Sequence, residues 1–278
     1  MVERSVKVFQ GQPLGENYAR GSSSRWLEDL QLRGYVVLPP EEGLDLNELR
    51  FSMDKSLDDE ESQFGKDQLE KINDLGVVRN PFMRSKMCRA RVFADRNLDL
   101  CRQIFGRQFI LHVNRYVISD PKHIHPAAVW HREPPYNNFI AHQPMALTFI
   151  FLPDGSNVEN SGICLLPGSH KWPNFPSDDF VIENMVTPRI EIGSTLVIDS
   201  NLFHKGGEPG LSRRRSIVSI FSSPVIKQQT NIAGVVRQKY PNLIDEIPDG
   251  KFLLGIDTEP KFSDQDYRLS KLGSYVRI

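Results

Sequence analysis

The pattern that most constrains this chain begins after Gly106, where short apolar runs alternate with turn-forming residues. Runs of this kind, bounded by Pro, Gly, Asn and Asp, are typical of β-strands. We predict strands at Phe109–Ile118, Ala127–Glu133, Met145–Leu152, Gly162–Leu166, Arg189–Ile192, Ser194–Asp199 and Arg215–Ser222. Many short strands at close spacing favour a β-sandwich or a barrel, so this half of the chain is predicted to be mainly β.

The residues before Gly106 follow a different pattern. Apolar residues recur at helical spacing around Leu30, Leu49 and Leu98, and Tyr35–Leu38 is predicted as a single strand among these helices. No internal repeat divides the 278 residues. We therefore predict one domain, 1–278, with a mostly helical N-terminal part (1–105), a β core (106–226) and a C-terminal wrap (227–278).

Charge excludes one large class of function. Lys and Arg together number 34, Asp and Glu number 35, and the formal net charge is −1. A protein that coats nucleic acid carries a basic excess, so no nucleic-acid partner is expected. The chain also lacks the glycine-rich phosphate loops and the Gly-x-Ser-x-Gly turn, which disfavours nucleotide-dependent and serine-hydrolase chemistry.

Cysteine and apolar content indicate the compartment. Cys88, Cys101 and Cys164 are odd in number and widely spaced, which favours free, buried thiols over disulfides or a cysteine zinc site. The first 25 residues are polar, unlike a signal peptide. The apolar run Ala146–Leu152 is far shorter than the roughly 20 residues of a membrane helix. We expect a cytoplasmic protein with no membrane partner.

A first candidate for chemistry lies at the end of a predicted strand, in Trp130-His131-Arg132-Glu133. Residues i and i+2 of a strand point to the same face. His131 and Glu133 can therefore aim an imidazole and a carboxylate at one point. The pair alone is common in sequences, and it would otherwise be interpreted as a surface charge pair.

A second candidate is His204, which is followed by a turn-rich stretch and then by Arg215. The turn predicts a hairpin, with Arg215, Ile217, Ser219 and Phe221 alternating onto one face of the returning strand. An arginine on an inward apolar face needs an anionic partner, and a carboxylate suits its planar fork. Two histidines and a carboxylate form a facial triad, which leaves positions open on Fe(II).

With these residues in place, the chain resembles the phytanoyl-CoA dioxygenase family of Fe(II)/2-oxoglutarate oxygenases over about residues 34–222. The matching segments are Gly34–Pro39, Trp130–Glu133, Gly162–Lys171 and the unit from His204 to Arg215. The resemblance implies a mainly β fold with flanking helices, namely a double-stranded β-helix (a cupin-like jelly roll). One position departs from the family, whose usual carboxylate is Asp where this chain has Glu133.

The resemblance also implies roles. His131, Glu133 and His204 would hold Fe(II), and Arg215 would bind the distal carboxylate of the cosubstrate 2-oxoglutarate. Asn114 and Asn138 are candidates for further hydrogen bonds to 2-oxoglutarate, as are Tyr116 and Thr148, although such residues also simply satisfy strand ends. The implied reaction uses O2 and a small-molecule substrate, oxidises a C–H bond in hydroxylase fashion, and releases succinate and CO2. The substrate and the oligomeric state stay open.

Other interpretations remain. His123 and His125 could begin a cupin-type metal site, although Val129 stands where such a site wants glutamate. His170 is expected to shape a turn beside the pocket. At the level of function, the alternatives are a metal-dependent jelly-roll enzyme that does not use 2-oxoglutarate and a non-catalytic jelly-roll binding module.

Overall fold

The computed structural model describes residues 22–121, 126–133, 140–141 and 143–272. Within these residues the α-helices are α1 (Ser22–Arg33), α2 (Leu46–Phe64), α3 (Lys66–Lys71), α4 (Lys86–Val92), α5 (Asp95–Phe105), α6 (Asp178–Asn184), α7 (Ile232–Lys239), α8 (Leu243–Glu246), α9 (Gly250–Leu253) and α10 (Asp264–Leu272). The strands are β1 (Tyr35–Leu38), β2 (Val77–Arg79), β3 (Ile110–Ser119), β4 (Ala146–Leu152), β5 (Cys164–Leu165), β6 (Ser194–Asp199), β7 (His204–Lys205) and β8 (Arg214–Ser222).

Six strands form a larger antiparallel sheet in the order β1-β6-β4-β8-β3-β2. Its central strands are rich in β-branched and aromatic residues, which favour a pleated and buried environment. The pairing of β3 with β8 runs from Ile110↔Ser222 to Ser119↔Arg214, with an irregularity between Leu111 and Val113. Both edge strands, β1 and β2, come from the N-terminal part of the chain.

The two faces of the larger sheet have different neighbours. One face carries Phe149 and Phe221 and packs into the main hydrophobic core with α2, α4, α5 and α7. The other carries Ile150 and Val218, which pack towards Leu165 of the smaller sheet. Alternate side chains of each central strand therefore enter separate compartments, because successive residues of a strand point to opposite faces.

The smaller sheet pairs β5 with β7 and is widened by two single bridges. His131 bridges to His204, and Leu165 bridges to Val186. The two sheets enclose a cavity between them. This antiparallel arrangement with helices on one side is a double-stranded β-helix, or jelly roll, and it confirms the predicted fold class.

Two predicted strands are wrong. Ala127–Glu133 instead contains the end of the short 3₁₀ helix Pro126–Ala128, followed by the single bridge at His131. The run Arg189–Ile192 contributes only a bridge from Ile190 to Ser156. Both runs are apolar enough to resemble strands, but each forms a β-bridge at a single residue.

A glycine makes the turn from the first helix into β1, an edge strand of the larger sheet. Helix α1 ends before Gly34, which has φ of +82°, a left-handed conformation that favours glycine. A β-carbon at Gly34 would lie 2.5 Å from Nδ1 of His170. The chain can therefore turn from α1 into β1 only because position 34 lacks a side chain.

Two further expectations concern cysteine and membranes. Cys88, Cys101 and Cys164 are all free and buried, as predicted. Among the described residues, no helix combines the length and the apolar character that crossing a lipid bilayer requires.

Candidate active site

Two histidines face each other across the smaller sheet. The backbone N–H of His131 donates to the carbonyl of His204 at 3.0 Å, and the N–H of His204 donates back at 3.1 Å. This reciprocal bridge places the two side chains directly opposite each other. Their ring centroids are 4.3 Å apart, so the structure brings together two residues that are far apart in the sequence.

The hydrogen bonds of the two rings prepare one nitrogen of each for a metal. Nδ1 of His131 lies 2.8 Å from the carbonyl of Val129, and Nδ1 of His204 lies 2.9 Å from the carbonyl of Leu202. A carbonyl only accepts, so each Nδ1 carries the proton and each Nε2 presents its lone pair. Burial, and then the neighbouring His131, lowers the pKa of His204 to about 3, which keeps the ring neutral. Metal-binding histidines usually have this arrangement.

Glu133 is the third side chain of this cluster, beside His131 and His204. Its backbone N–H donates to the carbonyl of Ser200 at 2.7 Å, which fixes the main chain. Its Oε1 lies 2.5 Å from Nη2 of Arg115 and 3.9 Å from Nε2 of His131. Burial alone would raise the pKa of Glu133, but Arg115 and the two histidines outweigh burial, so that the pKa is lowered and the carboxylate stays ionised.

The three side chains do not yet converge on a single point. In the described part of the chain, no three His, Cys, Asp or Glu side chains are already arranged as a metal site. All three nevertheless line one cavity, and the donor set of two imidazoles and one ionised carboxylate fits Fe(II).

The walls of this cavity come from alternate residues of three strands. Val117, Ile150 and Val218 supply apolar surface, and Thr148 supplies a hydroxyl that lies 2.9 Å from Oγ of Ser200. A mostly apolar pocket with a few convergent polar groups is the usual form of a small-molecule site.

Arg214 is the second guanidinium in the cavity, and it was not among the site residues predicted from the sequence. Its side chain is buried, with Nε donating to the carbonyl of Asn160 at 3.2 Å and Nη2 donating to Oγ of Ser119 at 3.3 Å. No carboxylate of the described residues forms an ion pair with it. Burial lowers its pKa to about 10, so it remains charged at neutral pH. A buried cation with no counter-ion can receive an anion.

Arg215 does not line the cavity, which contradicts the inward orientation predicted for it. Its guanidinium reaches the opposite face and binds Asp54 of α2 at 2.6 Å and Asp154 at 3.0 Å. The alternation along β8 was predicted correctly, but its two faces were assigned to the wrong sides. Because Ile217 and Val218 are both buried, one on each face, apolar character alone does not mark the cavity.

Asn114 also faces away from the cavity, and its prediction as a cavity residue fails for the same reason, since the wrong face of the strand was chosen. It points towards the helices, where its Oδ1 accepts from the N–H of Phe82 at 3.1 Å and its Nδ2 donates to Oγ of Ser219 at 3.2 Å. Tyr116 shares this orientation, since it packs in the core on the helix side. The cavity residues of β3 are instead those of the other parity, and they include Arg115 and Ser119. Asn138 lies outside the described residues, as do His123 and His125.

The segment that carries His131 and Glu133 is held in place by contacts on the side that faces away from the cavity. Arg132 points away from the cavity, lies 3.7 Å from the ring centroid of Phe203, and donates to the carbonyls of Ser169 and Trp172. His170 is also behind this segment, where its Nε2 donates to the carbonyl of Gln31 at 3.1 Å. The Pro-Gly-Ser-His stretch therefore supports the ligand strands.

Comparison with known proteins agrees with this geometry. The family model described as phytanoyl-CoA dioxygenase (PhyH) matches residues 30–216. Sequence comparison with curated proteins gives no significant match. Among solved structures, the chain resembles EctD from S. alaskensis with bound Fe, at 19% identity and a TM-score of 0.56, over 74% of this chain and 79% of that one.

Two further structures are similar in fold. The epimerase SnoN, in complex with Fe3+, alpha ketoglutarate and nogalamycin RO, matches at 17% identity and a TM-score of 0.57, over 73% of this chain and 84% of that one. EvdMO1 matches at 19% identity and a TM-score of 0.51 over 73% of this chain. The chain spans 50% of the length of EvdMO1.

Proposed function

The chain belongs to the phytanoyl-CoA dioxygenase family, and from this premise we propose that it is an Fe(II)- and 2-oxoglutarate-dependent oxygenase. Its proposed reaction is the hydroxylation, or another oxidation, of a C–H bond in a small-molecule metabolite. O2 is the oxidant, and succinate and CO2 are the products from 2-oxoglutarate.

One observation carries the proposal: a single cavity holds both a metal-binding group and a buried cation that has no counter-ion among the described residues. His131, Glu133 and His204 supply the first, and Arg214 supplies the second. A dicarboxylate that chelates a metal through one end and needs a cation at the other suits this pairing. Arg214 therefore takes the role that the family resemblance gave to Arg215.

Each residue has a defined task in this proposal. His131, His204 and Glu133 would hold Fe(II), which together with 2-oxoglutarate supplies the oxidising power when bound. Arg214 would bind the distal carboxylate of 2-oxoglutarate by charge-assisted hydrogen bonds and so fix its orientation. The apolar side chains of Val117 and Val218 would exclude water from the space between these groups.

The similar structures support the choice of cofactor and cosubstrate. EctD has been crystallised with bound Fe, and also with 2-oxoglutarate and 5-hydroxyectoine. SnoN has been crystallised with Fe3+, alpha ketoglutarate and nogalamycin RO. Their small-molecule ligands differ widely, so they support the class of reaction and leave the substrate of this chain to experiment.

The test is anaerobic titration of the Fe(II)-loaded protein with 2-oxoglutarate. We expect a weak charge-transfer band in the visible spectrum, which His204→Ala abolishes. His170→Gln serves as the matched control, because this buried histidine does not line the cavity. Absence of the band from wild-type protein shown to contain Fe(II) would overturn the proposal and favour a binding module or an enzyme without 2-oxoglutarate.

Product analysis distinguishes the possible outcomes once a metabolite screen finds succinate release. Incorporation of labelled oxygen from O2 into the metabolite supports hydroxylation. Inversion of a stereocentre without incorporated oxygen would indicate epimerisation, the activity in the name of SnoN. Metal-dependent turnover that needs no added 2-oxoglutarate, and that Arg214→Met leaves unchanged, would indicate that 2-oxoglutarate is not the cosubstrate.

A further inference from the structure

An ion pair spans the cavity between the larger sheet and the segment that carries the ligands. Arg115 projects from β3, and its Nη2 lies 2.5 Å from Oε1 of Glu133. The side chains of Arg115 and Glu133 are 22% and 14% exposed, respectively, so the pair is largely shielded from solvent. Among the described residues, Glu133 is the only carboxylate within ion-pair distance of Arg115.

The length of the Glu133 side chain matters because its main chain is held in place. The backbone N–H donates to the carbonyl of Ser200, and two residues earlier His131 is bridged to His204. With the backbone fixed at both points, the reach of the carboxylate depends on the number of methylene groups. An aspartate at position 133 would be shorter by one C–C bond, about 1.5 Å, and would lose the contact with Arg115.

The contact with Arg115 is made through one atom of each group. Nη2 of Arg115 binds Oε1, while Nε of Arg115 is buried and has no hydrogen-bond acceptor among the described residues. A side-on pair would use both nitrogens and both oxygens. The observed contact engages one carboxylate oxygen and leaves Oε2 outside the pair.

We infer that Arg115 is a positioning residue matched to the glutamate at position 133. Its guanidinium holds one oxygen of the longer carboxylate, so that the other oxygen is available to a metal ion alongside His131 and His204. This pairing explains how the site uses Glu where the family usually has Asp. The inference rests on the proposed function, because it assigns Glu133 to the metal.

A double-mutant cycle tests this match. We expect Arg115→Met to weaken Co(II) binding, measured by calorimetry, by about 10- to 100-fold, the usual effect of removing a group that orients a metal ligand. In a Glu133→Asp background the same substitution should have almost no effect, because the shorter carboxylate does not reach the side chain at position 115. The visible spectrum of bound Co(II) should change with Arg115→Met only where Glu133 is retained.

Two controls make each outcome informative. Arg115→Lys keeps the charge and should restore part of the affinity, and it replaces Arg115→Met if thermal melting shows that the latter does not fold. Arg213→Met removes an arginine that binds Asp54 and Asp120 instead, and should leave Co(II) affinity unchanged.

Equal losses on removing Arg115 from the wild-type protein and from the Glu133→Asp variant, or no loss in either, would overturn the inference while the proposed function stands. Failure of the wild-type protein to bind Co(II) or Fe(II) would overturn the proposed function itself.

Discussion

The two faces of the larger sheet are both buried, yet they serve different purposes. On the helix side, Phe149 and Phe221 meet edge to face with centroids 5.8 Å apart, and polar groups such as Asn114 are satisfied by neighbouring protein groups. On the cavity side, Arg115 pairs with Glu133, and Arg214 lines the cavity without a carboxylate partner among the described residues. One face is filled by the protein itself, and the other retains charge that a ligand can use.

Two adjacent arginines illustrate the difference between the two faces. Arg214 faces the cavity without a carboxylate partner among the described residues, whereas Arg215 faces the helices and binds Asp54 and Asp154. The same residue type is a candidate ligand-binding group in one position and a structural link in the next. Side-chain direction, and not residue identity, separates the two roles.

The largest expected effect lies on the helix side. Phe221 is fully buried and packs against the rings of Phe93, Phe109 and Phe149. Phe221→Ala should lower the free energy of unfolding by about 3–5 kcal/mol, as measured by urea denaturation. The affinity of the remaining folded protein for 2-oxoglutarate should not change. A large loss of 2-oxoglutarate affinity in correctly folded protein would contradict the separation of roles between the two faces.

A buried carboxyl group gives the next effect. Burial raises the pKa of Asp199 to about 6, whereas an unfolded chain has an aspartate pKa of about 3.9. The folded state therefore holds the proton more tightly, and stability should fall by about 3 kcal/mol as pH rises from about 4 to above 6. Urea unfolding across this range should show the fall in the wild type and a smaller one in Asp199→Asn. Identical pH profiles would contradict the assignment.

Arg214→Met addresses the cavity side. Loss of one partner from a buried charged pair should weaken 2-oxoglutarate binding to the Fe(II)-loaded protein by about 100-fold. The thermal midpoint of the ligand-free protein should not fall, because the substitution removes a buried charge that has no counter-ion in the part of the chain that the structure describes. Unchanged 2-oxoglutarate affinity, by calorimetry under anaerobic conditions, would remove Arg214 from the site.

Arg215→Met is the matched partner of that variant and should have the smallest effect of the four. It breaks the links to Asp54 and Asp154, so we expect a loss of about 1–3 kcal/mol in the free energy of unfolding. Binding of 2-oxoglutarate should be retained. If Arg215→Met abolished binding and Arg214→Met did not, the roles assigned to the two faces would have to be reversed.

Much of the fold follows from local patterns. The spacing of Leu49 and Met53 predicts α2, and the continuous apolar run Met145–Leu152 predicts β4, because both patterns lie within a few neighbouring residues. The false strand at Ala127–Glu133 shows the limit of such patterns. Whether an apolar run pairs along its length depends on what lies beside it in space.

The candidate site likewise contains residues that the sequence predicts and residues that it does not. His131, Glu133 and His204 are recognisable from residue type and order, since few combinations resemble a facial triad. Arg214 is not, because both faces of β8 are apolar and two arginines stand side by side. Arg115 has no local signal at all, since its partner Glu133 approaches it only because the fold places two distant segments on opposite sides of the cavity.

The bridge between His131 and His204 has a consequence for folding kinetics. The two residues are separated by 73 positions (204 − 131), so the bridge closes a long loop whose entropy must be lost before the site exists. Contacts of such long range form late in proteins of high contact order. A metal held by both histidines would close this loop as a removable cross-link does, and its binding would report that the barrel has closed.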